Sequence, residues 1–509
     1  MSEEAKVLAA ENSTEVLTAF SRIPYALLNR EVKDDTKDLL DELTQICQYY
    51  KIYKRGADFT VEGSNGDYVP ATLRYKVAAS LIDKEARFLF AESPDVNVAP
   101  KGDVGKISQE AKDALVVLND LVRTILSKNK FEESLIKAAR DCFIGKRVVG
   151  LVNFNEEDGV TVSFLPSTQF VYETRVGNPN ILTKLVCFII VRDSVSQAQK
   201  RIFRKRYVLE DDGMVYIEET MFDGAGRELE VLTEYQATKL DFIPAAVFIN
   251  DGLTGEEKGE SEIESLKHYE QWYSKLANAD IDSERKSMNP TKFLVDMDAN
   301  STKGLSTAAG ALWDLGSDQN LDKPAPKVGI LEPQMNYSRA LDTSLNRIQS
   351  MGYSQLDIPN VSNEALQGVI TSGKALKAIY WPLIVRCKEK MKMWGPQLTS
   401  LVDTIIKGAM LYPNCVERYT NSPIIPVDYE IEVVQNTPLP EDEAEEKTLD
   451  LAEVEAKTMS RKAYMKKWRS LSDYEVDEEL QQIALERQLI DDSFMPQQGN
   501  LDLGLGVDV

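Results

Sequence analysis

Residues 260–288 read ESEIESLKHYEQWYSKLANADIDSERKSM, a helical pattern that places Leu266, Tyr269, Tyr273 and Leu276 on one stripe. At ~1.5 Å per residue such a helix spans roughly 40 Å. Asn289-Pro290 ends it. A second helix is predicted over Gln334–Met351, where Leu341, Leu345 and Ile348 fall together. Between the two, Thr291–Pro333 is compact and rich in Gly, Ala and Ser. Its ends, Phe293-Leu294-Val295 and Val328-Gly329-Ile330-Leu331, are strand-like. Glu264, Lys267, Asp282, Arg285, Arg339, Asp342 and Arg347 interrupt the apolar faces of both helices. Long helices with such mixed faces pack on other helices, often those of neighbouring subunits.

Downstream, Gly352–Ser372 is polar, carries Pro359 and shows no period, so it is expected to be a loop. A very long helix is predicted from Gly373 to about Met410, bent or interrupted at Pro382 and at Gly395-Pro396. Ile424–Val434 alternates as a strand, and 437–492 is expected to be helical and acidic, with capping-box spacing at Ser472-Asp473-Tyr474-Glu475. The Gly-rich tail, 493–509, is expected to be disordered.

Upstream, the first hundred residues read as mostly helical. Leu39 to Ile46 keeps helical spacing, as does Tyr75 to Phe90, which Ser93-Pro94 stops. A third helix is predicted around 107–143, with Leu115, Leu118, Leu121, Val122 and Ile125 on one face. From Arg147 the period becomes two. Val148–Phe154 and Val160–Phe164 form a hairpin about Asp158-Gly159, and Leu185–Val191, Lys205–Ile217 with a turn at Asp212-Gly213, and Phe242–Ile249 add strands. The fold class is therefore α+β and mainly helical, without βαβ alternation.

The 509 residues suggest about three domain-sized units. Lys and Arg number 59 against 82 Asp and Glu, a formal charge of −23. That balance argues against tight nucleic-acid binding over the whole surface, but not against sliding or local contact with DNA. Five scattered cysteines, with no CxxC pair, and a single histidine, His268, exclude most zinc and triad chemistries. The acidic N-terminus is unlike a signal peptide, and no apolar run approaches the ~20 residues of a membrane span. A soluble, reduced, intracellular chain without metal, cofactor or membrane partner is expected.

The sharpest motif is Gly368–Ala375, which fits the GxxxxGK core of a P-loop. Ala375 stands where a magnesium-binding hydroxyl belongs, and Asn360–Glu364 reads as loop where a strand is needed. Gly368–Lys374 is better taken as a loop entering a helix capped by Ser372. Lys200–Arg206, the densest basic cluster, reads as a solvated or subunit-facing strand edge. His268, beside Tyr269 and Trp272, has no second ligand near it. Glu441-Asp442-Glu443 and Glu445-Glu446, just after Pro440, suit a helix N-terminus and a solvated face. No catalytic constellation is left, so the chain is not expected to be an enzyme.

In segment order and in several local patterns, the chain resembles the portal proteins of tailed bacteriophages, in particular those of phages of Gram-positive bacteria. The patterns are Lys76–Asp83 leading into Arg87–Pro94, Phe131–Asp141 followed by Gly145 and the hairpin, and Ser372-Gly373-Lys374-Ala375-Leu376-Lys377 opening a long helix. The Pro-acidic start of the C-terminal helices is a fourth. Ala91 departs from a frequent Gly. The similarity covers roughly residues 25 to 490. It implies a wing (1–255, with a kinked helix and strand in 373–436), stem helices (256–288 and 334–351) and a clip (289–333). A tunnel loop (352–372) and a crown (437–492) complete the subunit.

The resemblance also implies a dodecameric homo-oligomer, a ring of about twelve subunits at one capsid vertex of the virion, assembled in the host cytoplasm. Double-stranded DNA passes through it non-specifically during genome packaging and ejection. Its partners are the terminase large subunit, a head-completion or adaptor protein (the head–tail connector), and the scaffolding and major capsid proteins. Tunnel-loop candidates are Asn360, Val361, Ser362, Asn363, Glu364 and Gln367, and stem candidates facing the channel are Arg339 and Arg347. The rival readings are a P-loop nucleotide-binding protein using Gly368–Lys374 and an acidic helical scaffold or adaptor without a channel.

Overall fold

The computed structural model describes residues 27, 31, 36–60, 69–101, 108–192, 200–250, 252–253, 258–288, 291–295, 327–331, 335–361, 373–420, 422–436, 438, 443–469, 476 and 479–485. In chain order the elements are α1 (Thr36–Arg55), α2 (Val77–Phe90), β1 (Asp95–Pro100), α3 (Gln109–Lys128), α4 (Phe131–Gly145), β2 (Arg147–Asn155) and β3 (Gly159–Pro166). Then come β4 (Phe170–Arg175), β5 (Asn178–Arg192), β6 (Lys200–Leu209), β7 (Val215–Asp223), β8 (Glu228–Ala237) and β9 (Ala245–Ile249). The second half holds α5 (Glu262–Met288), β10 (Thr291–Val295), β11 (Lys327–Leu331), α6 (Ser338–Gln355), α7 (Gly373–Ile379), α8 (Trp381–Leu411), β12 (Tyr429–Val434), α9 (Glu443–Glu455) and α10 (Arg461–Arg469). The mixture is α+β. It divides into one compact unit within Met1–Val361 and Tyr380–Pro438, and another within Ser362–Ile379 and Leu439–Val509.

In the first unit β2 is the central strand of a three-stranded antiparallel sheet, β3-β2-β9. Its near-continuous apolar run follows from burial on both faces. Val148 and Val152 pack into a core with α1, α2, α4 and α8, whereas Val149 and Leu151 pack with Leu185, Cys187 and Tyr207 of the second sheet. Gly150 is needed on the helix side, because a Cβ there would meet Phe164 and Phe248 at 3.1 Å and Leu401 at 3.3 Å. Trp394 of α8 wedges against Phe248 of β9 and Phe90 of α2, with ring centroids 4.7 and 5.1 Å away. The second sheet runs β4-β5-β6-β7-β8. Its far face, Val186, Phe188, Ile202 and Phe222, packs with Leu27, Leu43 and Cys47.

Several expectations are corrected. The helix predicted around 107–143 is two helices, α3 and α4. Lys130 takes the left-handed conformation at φ 49° between them. The Asn129 side chain holds the break, donating to Ile125 O at 2.8 Å and Val160 O at 3.0 Å and accepting from Val162 N at 2.9 Å. The helix predicted over Gly373–Met410 is likewise two, separated at Tyr380. The interruption falls beside Pro382 as expected: Pro382 lies in the first turn of α8, where its missing N–H costs nothing. Pro396 does lie inside α8.

The strands also differ from expectation. β1, β4 and β8 are additional, and β1 supplies the antiparallel partner of β12. Lys200–Arg206 is not an edge: β6 is bonded to β5 on one side and β7 on the other. The charges of Arg204, Lys205 and Arg206 are met in place. Arg204 donates to Glu31 at 2.7 Å and Glu218 at 2.8 Å, and Lys205 pairs with Glu219 at 3.1 Å. Within the expected helical, acidic region 437–492, α9 and α10 are helices and α10 reads RKAYMKKWR. The capping-box stretch Ser472–Glu475 and the 493–509 tail lie outside the described residues.

Candidate functional site

Helix α5 is the longest element after α8 among the described residues, and its 27 residues reach about 40 Å. One of its faces carries a polar ladder. Glu270, Ser274, Asn278 and Asp282 recur every four residues, about 6 Å apart along the axis. Along an extended chain two residues advance about 6.6 Å, so this ladder matches alternate amides of a strand-like segment. The segment 71–75 runs antiparallel to α5 and uses the match, and Ala78 in the first turn of α2 completes it. Ala78 N donates to Glu270 at 2.8 Å, Tyr75 N to Ser274 at 3.3 Å, Leu73 N to Asn278 at 2.8 Å and Ala71 N to Asp282 at 2.9 Å. Glu270 also accepts from Ala57 N at 2.7 Å. Burial pushes its carboxyl up from the ordinary value, against the pull of those amides. The period-four run of polar residues was the signal in the sequence, but attention to the apolar stripe passes over it.

The start of α5 is fixed by a tight turn and a buried ionic cluster. Gly259, at φ +73°, lies against Asn250 just past the end of β9, and Ser261 donates to Ile144 O at 2.6 Å while accepting from Ile263 N at 3.2 Å. Beside it, four charged side chains from three helices meet. Arg386 donates to Glu85 at 2.7 Å and to Glu262 at 2.8 Å. Lys390 donates to Glu262 at 2.6 Å and to Asn250 at 2.7 Å, and lies 3.4 Å from Glu85. Burial works to raise Glu262, but the charges of Lys390 and Arg386 outweigh it and hold the carboxyl at about 2. Glu85 goes the other way, lifted by burial, and its Oε2 has no hydrogen-bond partner among the described residues. The cluster ties α2, α5 and α8 into one rigid base from which α5 extends.

Helix α6 packs on α5, and β10 and β11 form an antiparallel ribbon between them in sequence, from Thr291 opposite Leu331 to Val295 opposite Lys327. The expected helix Gln334–Met351 begins later, at Ser338 after a short turn over Met335–Tyr337, and ends later, at Gln355. Leu341, Leu345 and Ile348 are half-buried together, as their spacing requires. Arg339 and Arg347 are both exposed. They are eight residues apart, about 12 Å along the helix, and among the described residues neither forms an ion pair.

The expected loop 352–372 is in part something else. Gly352–Gln355 closes α6, and the chain then turns sharply. Asp357, at φ 53°, takes the left-handed position while Asp357 N donates to Ser354 O at 3.3 Å and Ile358 N to Tyr353 O at 3.0 Å. Leu356 and Ile358 are buried in the main core, so this end is anchored. Asn360 is exposed and donates to Ser350 Oγ at 3.3 Å, and Val361 is half-buried. Ser362, Asn363, Glu364 and Gln367 lie outside the described residues. The structure thus brings Arg339, Arg347 and Asn360 onto α6 and its immediate continuation.

The remaining sequence candidates are dispersed. Leu356–Val361 holds no strand, Gly368 and Ser372 lie outside the described residues, and α7 begins at Gly373 with Ala375 in the hydroxyl's place. His268 is exposed on α5. Glu443 opens α9, while Glu441 and Asp442 lie outside the described residues. None of the five cysteines forms a disulfide and all are buried, and burial pushes the Cys187 and Cys387 thiols up to about 12. Among the described residues no group of His, Cys, Asp or Glu is placed to hold a metal, and no helix is long and apolar enough to cross a membrane.

No curated protein matches this chain significantly. A family model does: that of the phage portal protein, SPP1 Gp6-like, over residues 29–492. The match takes in the anchored helix pair, the ribbon between its members, both sheets and the C-terminal helices. The chain belongs to this family of phage portal proteins, which form the vertex through which viral DNA enters and leaves the capsid.

Proposed function

We propose that copies of this chain close into a ring of about twelve around double-stranded DNA, with α5 and α6 as its stem. The observation that carries this reading is the family match across the whole α5–ribbon–α6 stretch, on a helix pair rigidly based at one end. The segment roles follow: wing for 1–255 with 373–436, clip for 289–333, tunnel loop for 352–372 and crown for 437–492. The terminase large subunit and a head-completion or adaptor protein dock on the clip. Scaffolding and major capsid proteins surround the ring, which is assembled in the host cytoplasm. Each subunit carries −23 formal charge, so the wall repels phosphate and lets a duplex slide without being gripped. The motive force comes from the terminase rather than from chemistry on this chain. Nothing in the family comparison supports a nucleotide-binding reading of Gly368–Lys374.

The exposed Arg339 and Arg347 act in this reading as cations that lower the barrier to a passing phosphate backbone. Replacing both with Ala is expected to slow packaging and ejection several-fold while leaving ring formation intact, as measured by DNA packaged per particle over time. Unchanged packaging and ejection would remove these two residues from the channel wall.

A further inference from the structure

Strand β8 reads ELEVLTEYQA and ends the order β4-β5-β6-β7-β8, so it is bonded on one side only, to β7. Its register on β7 shifts at three places, and at two of them the inserted residue is a leucine. Glu230 and Glu228 face the consecutive residues Met221 and Phe222, which leaves Leu229 over. Thr233 and Val231 face Glu219 and Thr220, which leaves Leu232 over. A bulge bends the strand and re-aims the side chain it inserts. Leu229 and Leu232 are 53% and 49% exposed, where a solvated edge calls for polar residues. Glu228, Glu230 and Glu234 lie exposed beside them and form no ion pair among the described residues.

Helix α8 carries the complementary composition. Trp381, Val385, Lys388, Lys392 and Pro396 recur at intervals of three and four residues, which lines them along one side of the helix over about 22 Å. All five are exposed, Trp381 by 54%. Lys388 and Lys392 are one turn apart and form no ion pair among the described residues, and Glu389 borders the stripe.

We propose that the bulged strand β8 of one copy docks on the Trp381–Pro396 stripe of α8 in a second copy. Leu229 and Leu232 meet Trp381 and Val385, and the carboxylates of the strand meet Lys388 and Lys392. The two faces differ, so the contact is heterologous: each copy gives β8 to one neighbour and α8 to the other. It rests on the ring reading, in which such contacts repeat until they close. Opposite charge selects this pairing over β8 against β8, where carboxylates would meet carboxylates. It also supplies a local attraction between subunits that, at −23 each, repel as wholes.

The test is assembly of the full-length protein, followed by native mass spectrometry over a dilution series. Lys388→Glu/Lys392→Glu and Glu230→Lys/Glu234→Lys all fall on exposed side chains. Either pair alone should raise the concentration of half-assembly by about tenfold, because like charges then face each other. The four changes together should bring it back to within about threefold of wild type, since the two pairs are coupled. Disulfide trapping reads the placement independently. Leu232→Cys and Val385→Cys proteins, co-expressed and treated with a mild oxidant, should give linked dimers that neither gives alone, the five native cysteines being buried. Unaltered assembly in both reversed variants, absence of rescue by the four changes, or absence of linked dimers in the mixture overturns the proposal and leaves the ring to other faces. Dimers from Leu232→Cys alone overturn it too, by assigning β8 to symmetric pairing. A wild type that stays monomeric in the same series overturns the ring reading and this contact together.

Discussion

Replacing Lys390 with Met is expected to destabilise the first unit by about 3–5 kcal/mol, the cost of removing one partner from a buried ion cluster. The Lys390 side chain is 6% exposed, and Glu85 and Glu262, which it faces, are 0% and 9% exposed. Without it, two carboxylates share Arg386 alone, and Asn250 Oδ1 loses its donor. Met keeps most of the packing that Lys390 makes over the Phe143 ring, 4.1 Å from its centroid, so the loss is electrostatic. Adding Glu85→Gln restores the charge balance and should recover most of the stability. Urea denaturation of the two single variants and the double variant measures the coupling. A Lys390→Met variant within about 0.5 kcal/mol of wild type, or additivity across the cycle, would contradict the role given to this cluster.

The same cluster sets the response to acid. Glu262 ionises well below its ordinary 4.5, at about 2, so its contribution is complete above 4.5 and is lost as pH falls from there toward about 2. Glu85 is raised, so it takes up the first proton, and its protonation removes a buried charge whose ionisation opposed folding. Mild acid is therefore tolerated at this site, and the loss comes when Glu262 titrates.

The second large effect is expected from Gly259→Ala. Its φ of +73° is strained for any residue with a Cβ, and that atom would press on Asn250 O and lie 2.8 Å from Lys146 O. Both neighbours are backbone, and both are engaged: Asn250 N donates to Lys146 O at 2.7 Å, and Glu260 N to Asn250 O at 3.2 Å. The turn must open, which displaces Ser261 and the start of α5. The expected cost is about 2–5 kcal/mol, strain and overpacking together. Gly213→Ala is the control, since its φ is +80° but nothing lies within 4 Å of the added atom. It should lose only the conformational part, about 1 kcal/mol. Equal denaturation midpoints for the two variants would mean that the Gly259 turn is not tightly packed.

Much of the fold was legible wherever one face of an element meets one kind of neighbour. Leu341, Leu345 and Ile348 on α6 and the β2–β3 hairpin are such cases, since burial alone sets their period. The pattern fails where a side chain replaces a backbone partner. The apolar stripe of α3 runs through Ile125 and Leu126 toward Phe131 without marking the break at Lys130. That break is held by Asn129, whose partners Val160 and Val162 lie 31 and 33 residues away and meet it only in the fold. The extended segment 71–75 bonds to the α5 ladder rather than to a strand, so it has no strand period to read. Lys200–Arg206 was misplaced for a related reason: its counter-charges, Glu31 and Glu218, are distant in sequence or on the next strand, and only the fold brings them together. Of the candidate channel residues, the exposure of Arg339 and Arg347 followed from helical phase, and their relation to a duplex depends on neighbouring subunits.

The most direct test of the ring is electron microscopy of the purified full-length protein in negative stain. The account predicts closed rings of about twelve subunits with a central hole wide enough for a duplex. Fields containing only compact monomers or open, elongated dimers would contradict it.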